Sequence, residues 1–554
     1  MNIFLKNRLS ISRILCFALY LIFQCYNVHA QNDTGNVKVH ITNSKSYIHK
    51  DTPTIIDQFI GDVRIEQGST IMTCDSAYQN KESKNIEAWG HVHIIQATTD
   101  VTGDYLKYMS NKKVAFMQGN VSLTDTGGIL QTEELTYDLN TKTGFFTQGG
   151  VLHSKSTVVT SKSGTYNAAS KEARFRDDVH ITDPQYTITS DDLGYNTQTK
   201  IVVYYGPSET ITGKTTLRTK KDGWYDSQNE AAHFTGRSSV QDENEYIEAD
   251  TLNYSKMTGY GRAFGNVIII DTAQHSTLYC GLANYNRKTR IIWALIKPVL
   301  KQINGHDSLF IRADTFYSAP IAKKADSLHQ NPKTTTQIKS KKRTTVKDST
   351  SFRIAADTTK ADSTEPRYFI AYHHVLIFSD SMQGRCDSLI YKQTDSTIRM
   401  IYDPIVWSRK SQITGDTILM RMDSNKLKRI YIPNNALIVS QSGPDKAEMY
   451  DQVQGKTLTG NLKNNAITDM IVYPHAECIY YSKDEHDAYL GVNQAESERM
   501  KIYFKDQQIS RIIFEQQVQQ NMTPLDQADI PNLHLSRFKW LIDKRPKSLS
   551  ELFL

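Results

Sequence analysis

At 554 residues the chain has room for several domains or for one long repeat array. A hydrophobic content of 39% with a mean hydropathy of -0.49 excludes a polytopic helical membrane protein, and 30 tyrosines in a Thr/Val/Ile-rich texture favour strands. A formal net charge of +6 over this length reads as ordinary solubility and gives no footprint for nucleic acid.

Residues 1–30 read as a secretory signal peptide. Lys6, Arg8 and Arg13 supply a basic start, Ile14 to Phe23 the apolar segment, and Val28-His29-Ala30 before Gln31 a cleavage site. Cys25 suggests a lipoprotein anchor, but Phe23-Gln24 lacks the small residues that such processing needs. No later run reaches the roughly 18 apolar residues of a spanning helix; the longest lies around Ile291 to Leu300. The expected location is the periplasm, with association to the outer membrane left open. Four cysteines remain after cleavage: Cys74, Cys280, Cys386 and Cys478. Equivalent positions of stacked repeats stand whole strand spacings apart, whereas a disulfide needs Cα atoms within about 7 Å. Mostly free or opportunistically paired thiols are expected, and no CxxC or Cys/His cluster marks zinc.

From Ser46 to Ala319 the chain repeats one pattern, clearest in GHVHIIQATTDVTGDYLKYMSNKKVAFMQGN from Gly90 to Asn120. Acids mark the beat at Asp75, Asp104, Glu133 and Asp191, with Lys162 standing in, every step being 29 residues. The beat slips slightly through Asp222, Asp250, Cys280 (standing in) and Asp314, and resumes at Asp387 and Asp416. Gly61, Gly90, Gly119 and Gly149 keep the same time, followed by Gly206, Gly236 and Gly265. A fixed period of this size predicts stacked repeats whose neighbours complete each other's core. Period-two alternation sends Val63 and Ile65, Val92 and Ile94, Val121 and Leu123, and Val267 and Ile269 to one side. Leu106 and Tyr108, Leu135 and Tyr137, Leu193 and Tyr195, and Leu252 and Tyr254 form a second apolar column. Turns led by Asn111, Asn140, Asn167 and Asn196 precede return strands such as Val114-Ala115-Phe116. Each repeat is therefore expected to supply one bent long strand and one shorter partner. The fold class that follows is all-β, a stack of antiparallel repeats of about 29 residues with a continuous apolar inside and a short, partly helical C-terminal tail.

The expected organisation is a repeat array over 31–320, an insert over 321–367, a second repeat block over 368–515 and a tail over 516–554. The insert is rich in Lys, Thr, Ser and Asp and cannot offset its ordering entropy, which reads as disorder. A phosphate-binding arm on Lys339 to Arg343 is the sharper alternative. The tail, with Pro524, Pro531 and an amphipathic end from Leu533 to Leu541, is expected to cap the stack with Phe538 and Trp540.

Chemistry has no visible address. The acid column lacks the Gly-Gly-x-Gly-x-Asp of calcium-binding rolls, and acids at such steps more often satisfy backbone donors where a strand begins. A glycosidase would need two carboxylates at a defined separation, which spacing cannot identify. His91 and His93 flank Val92 and make half a metal site at most; His373-His374 point to opposite faces. No GxSxG, HExxH, phosphate loop or dinucleotide fingerprint occurs. Neither an enzyme, nor a cofactor, nor a metal is expected. A long apolar interior can instead hold acyl chains if its two walls splay, each buried CH₂ contributing roughly 0.8 kcal/mol. Open strand edges at the ends invite strand addition by a like-folded partner.

The repeated G-[DNH]-V-x-[IL] opening with its D-x-L-x-Y step resembles the OstA-like family. The stretches that carry the resemblance are GDVRIEQGSTIMTCDSAY (Gly61 to Tyr78), GNVSL (Gly119 to Leu123) with LQTEELTYD (Leu130 to Asp138), and YIEADTLNY (Tyr246 to Tyr254) with GNVIII (Gly265 to Ile270). That family comprises the Lpt lipopolysaccharide-transport β-jelly rolls, known from the organic-solvent-tolerance protein and its LptA-like periplasmic relatives. The resemblance implies a jelly roll that binds lipopolysaccharide by its lipid A acyl chains and meets other jelly rolls, or an outer-membrane translocon, end to end. It brings no catalytic residues; the inward residues of the two columns are the expected lipid contacts. The chain departs from the family in having about twice the repeats of the small bridge proteins and no room for the translocon's barrel. An outer-membrane β-barrel and a structural or adhesive surface β-solenoid are the alternatives.

Overall fold

The structure is a computed structural model that describes residues 38–51, 55–255, 257–286, 288–304, 307–321, 366–423, 426–444, 446–463, 466–505 and 508–554. The signal segment 1–30, the Lys339 to Arg343 arm and nearly all of the 321–367 insert lie outside the described residues. Two compact units divide the chain: Met1–Thr126 with Gln131–Gly144, and Gly127–Leu130 with Phe145–Leu554. The described chain is all-β, built of stacked antiparallel strands, and its tail carries only short 3₁₀ turns.

In the first unit, strands Ile56–Gln67, Thr70–Asn80, Ile86–Gln96, Thr99–Met109 and Val114–Thr124 each pair antiparallel with the next. Two full-length strands per repeat thus replace the expected long strand and shorter partner. Each is interrupted near its middle by a register shift, as between Ile60 and Val63 or Trp89 and Val92. The cause is written in the repeated glycine motif. Gly61-Asp62, Gly90-His91 and Gly119-Asn120 take φ of 81° and 50°, 76° and 45°, and 79° and 46°. Two consecutive left-handed residues make a corner, and glycine followed by Asp, Asn or His is the least costly pair to place there. The halves of one strand then serve different walls. Ser46–Lys50 pairs with the part of Ile56–Gln67 before the corner, and His40–Asn43 with the part after it.

The acid column holds these corners. Asp75 Oδ2 meets His91 Nδ1 at 2.8 Å, and Asn120 Nδ2 donates to Asp104 Oδ2 at 2.8 Å. A Cβ on Gly90 would stand 2.3 Å from that Asp75 oxygen, so the acid and the glycine share one space. In the second unit, Asp250 accepts from Asn266 at 2.8 Å and Asp416 from Asn435 at 3.0 Å. The carboxylates therefore bind corner side chains rather than backbone donors where a strand begins. In addition, the backbone N–H of Asp314, Asp387 and Asp416 donates to corner carbonyls. Where lysine stands in for the acid the charges swap: Lys162 faces Asp178 at 3.6 Å, and Lys45 pairs with Asp62. His373 and His374 form one corner and reach different acids, Asp387 at 3.1 Å and Asp314 at 2.7 Å. The turns between strands follow Asx chemistry: Asn167 Oδ1 accepts from the N–H of Ala169 and Ser170, and Asn196 Oδ1 from Gln198 and Thr199.

The second unit shows the split openly. Thr187–Asn196 pairs through one half with Ile201–Tyr204 and through the other with Ser208–Thr212. Beyond Gln383–Lys392 the walls run as separate ladders. One continues through Ile405–Ser408, Ser411–Thr414, Ala436–Gln441, Tyr450–Gly455, Ala476–Lys483, Tyr489–Ser497 and Gln519–Pro524. The other continues through Thr397–Ile401, Thr417–Asp423, Lys426–Ile432, Thr457–Lys463, Ala466–Tyr473, Arg499–Lys505 and Gln508–Glu515. The core lies between these two walls.

Candidate functional site

The candidate site is the interior between the walls. Of the residues expected to point inward, Val63, Ile65, Val92, Ile94, Leu106, Tyr108, Val121, Leu123, Leu135, Tyr137, Leu193, Tyr195, Leu252, Tyr254 and Val267 are buried, and Ile269 is half-buried. They reach the interior because directly opposed residues of an antiparallel pair share a face, so one inward residue fixes a whole row. Cys74 opposite Val63, Cys280 opposite Val267 and Cys386 opposite Val375 lie in such rows. With Cys478, they are free and buried, and burial pushes all four thiols up to about 12.

Much of this interior is closed by the tyrosines themselves. In the first unit Tyr108 donates to Gln67, and Tyr137 to Gln96 at 3.2 Å. Each bond starts on one wall and ends on the other, because tyrosine and glutamine sit on opposite sides of their strands' corners. In the second unit Tyr195 reaches Thr157 at 3.3 Å and Tyr204 shares a 2.8 Å bond with Thr210, again across the interior. A buried hydroxyl needs such a partner. In satisfying it, the tyrosine column sews the walls together, which the alternation pattern gave no means to foresee.

A different interior follows in the second unit. One inward row runs through paired positions Ile247, Ile269, Leu278 and Leu300 to Ile311 and Ile377. Ile247, Ile269, Leu278 and Leu300 are only half-buried, whereas Ile377 at the end of the row is buried again. The matching row of the other wall runs Leu252, Ala263, Ala283, Ala294. Its counterpart in the first unit runs Ala77, Ala88, Leu106, Met117, and there the facing Ile65, Ile94 and Val101 are sealed. Three successive methyl side chains reach less far across the interior than leucine and methionine do. The branched side chains opposite are left partly uncovered, and the surface they offer is purely apolar.

The interior contains no paired carboxylates or nucleophile–base arrangement among the residues just named. His91, singled out as a candidate ligand, is held by the Asp75 carboxylate, whose hydrogen bond raises the imidazole's pKa; His93 lies 3.5 Å from Asp100. Sequence reasoning missed a second feature, the outward face of one wall. Ile405-Val406-Trp407 and Ala436-Leu437-Ile438-Val439 are buried at every residue. Unbroken apolar runs of this kind mark strands covered on both sides. The cover is the C-terminal tail: Gln412 and Gln452 bond its main chain, and Tyr450 packs between Phe538 and Trp540 at 5.3 and 5.2 Å. The tail therefore lies along a wall and does not end as a lid of two aromatics.

Residues 34–191 match the family model described as OstA-like protein. No curated protein matches the chain. Among the solved structures 16 chains match. One is LptH of Pseudomonas aeruginosa, described as the LptA-homologous periplasmic component of the conserved lipopolysaccharide transport device. It is 14% identical over 30% of this chain and 82% of its own, with a TM-score of 0.09, too low for the superposition to bear on function. On the family match, residues 34–191 of this chain are similar to the OstA-like family.

Proposed function

We propose that the protein is a non-enzymatic periplasmic carrier whose half-open interior holds the acyl chains of lipopolysaccharide on their way to the outer membrane. The observation that carries this reading is the row Ile247, Ile269, Leu278, Leu300, half-buried and apolar opposite Ala263, Ala283 and Ala294. An acyl chain laid along it would cover that surface, each CH₂ contributing roughly 0.8 kcal/mol. The OstA-like match over 34–191 supports the choice of lipid class. Strand edges support end-to-end partners of the same fold or an outer-membrane translocon. Ser46–Lys50 is exposed throughout, and Gln519–Pro524 pairs on one side only among the described residues. A photoreactive residue at Leu278 or Leu300, irradiated in cells, is expected to give a lipopolysaccharide adduct. Ala283→Phe, which fills the space, is expected to abolish that adduct while the strands persist in circular dichroism. Lack of an adduct from either position in a folded protein would remove the reading. A structural or adhesive role is the second reading, favoured by the sewn interior of the first unit; adducts at Ile65 or Leu106 would count against it.

A further inference from the structure

The outward face of the wall that runs from Gln383–Lys392 to Ala476–Lys483 is built unlike any other surface of this unit described above. Across consecutive pairings its residues read Gln383, Trp407, Gln412, Val439, Gln452, Ile479, an alternation of amide and apolar side chains. All six are buried. The glutamines do not pair with one another. Gln412 Nε2 donates to the carbonyl of Lys539 at 2.7 Å, while its Oε1 accepts the N–H of Leu541 at 2.7 Å. Gln452 repeats the arrangement on the carbonyl of Leu533 at 3.0 Å and the N–H of Leu535 at 2.8 Å. Gln454 Oε1 accepts the N–H of Arg537 at 3.2 Å. A carbonyl at one position and an N–H two residues on are the pair of groups that a neighbouring strand would bond. The amides of Gln412 and Gln452 thus each stand in for a peptide group toward the tail's main chain, while Gln454 Nε2 donates to the Ser536 hydroxyl at 3.0 Å. Farther along, Arg545 Nε reaches Gln383 Oε1 at 2.8 Å, and Arg312 Nη1 donates to the carbonyl of Glu551 at 3.2 Å. Leu552 is fully buried, and Phe553 packs on Tyr279.

We propose that this face is a binding track for an extended polypeptide, and that residues 533–554, whose Leu533 and Leu535 pack against Met449, Ile479, Tyr481 and Val492, are its exchangeable ligand. Two features support exchange. The main-chain bonds that fix 533–541 to the wall run to glutamine side chains, so the wall's own ladder is complete without the tail. The lead into the track is exposed at Pro524, Asp526, Gln527 and Asp529, so a cut there severs the segment without touching the wall. The proposal does not depend on lipid carriage, because the track lies on the side of the wall facing away from the interior.

The test uses the full chain with a specific protease site placed at Asp526-Gln527. After cleavage, the severed tail is expected to stay bound through gel filtration and to be replaced by excess fluorescent peptide of residues 529–554, read by anisotropy. Gln412→Leu and Gln452→Leu are each expected to speed release by about tenfold, as loss of a bonded buried amide should. Strand content in circular dichroism should not change. A tail that cannot be exchanged, one that leaves and does not rebind, or a wall that unravels on cleavage would overturn the proposal.

Discussion

Two stretches of interior built from the same repeat behave differently. In the first unit, Ile65, Ile94, Val101, Leu106 and Met117 are all fully buried, and Tyr108 and Tyr137 sew the walls with hydrogen bonds. In the second, Ile247, Ile269, Leu278 and Leu300 stand half-buried across from Ala263, Ala283 and Ala294. Corner geometry is shared: Gly90-His91 and Gly265-Asn266 have the same pair of left-handed dihedrals, and Asp75 and Asp250 clamp them alike. What changes is the volume of side chains that meet across the gap. A repeat sets the path of the backbone, and the substitutions within it decide whether the residues facing inward are fully or only partly buried.

The comparison can be broken most sharply by truncation. Leu106→Ala in the sealed interior is expected to cost about 2–5 kcal/mol in guanidinium unfolding, whereas Leu300→Ala, at a partly exposed position, is expected to cost about 1 kcal/mol. Equal losses would mean that the two interiors do not differ. The shared corner gives the next effect. Gly90→Ala places a Cβ in a backbone with φ of 76°, 2.3 Å from the Asp75 carboxylate, and should cost about 1–3 kcal/mol by the same measurement. Gly265→Ala, with φ of 77° and 2.5 Å to Asp250, should cost as much, because the corner is common to both stretches.

Sewing contributes less. Tyr137→Phe removes one cross-wall bond while Gln96 keeps its 2.9 Å bond to the carbonyl of Leu139, so about 1 kcal/mol is expected. The smallest effect is a pH dependence at the edge of the half-open stretch. Burial, then Asp271 and Asp242, push the Glu245 carboxyl up to about 7 from its ordinary 4.5. A pKa raised on folding gives stability that is fully present below 4.5 and is lost as pH rises through about 7. Unfolding midpoints at about pH 5 and about pH 8 should therefore fall with pH in the parent and change less in Glu245→Gln.

The amino-acid sequence determined by itself the repeat and its alternation. Although the left-handed corners at glycine and the second full-length strand of each repeat emerged only in the structure, a period of 29 residues and alternation by two sufficed for antiparallel strands and the inward rows Val63 to Val267. Each of these is a property of a few neighbouring residues, and β geometry translates it directly into direction. Even the stand-in Lys162 kept its place, because a corner clamp needs a partner that it can pair with or hydrogen-bond and not a particular sign of charge. Tertiary structure alone decided which side chains meet across the interior, whether Tyr137 would find Gln96, and which face Trp407 and Val439 would turn toward the tail. Those outcomes depend on residues tens of positions apart whose volumes and hydrogen bonds must match in space, and no periodicity encodes that match.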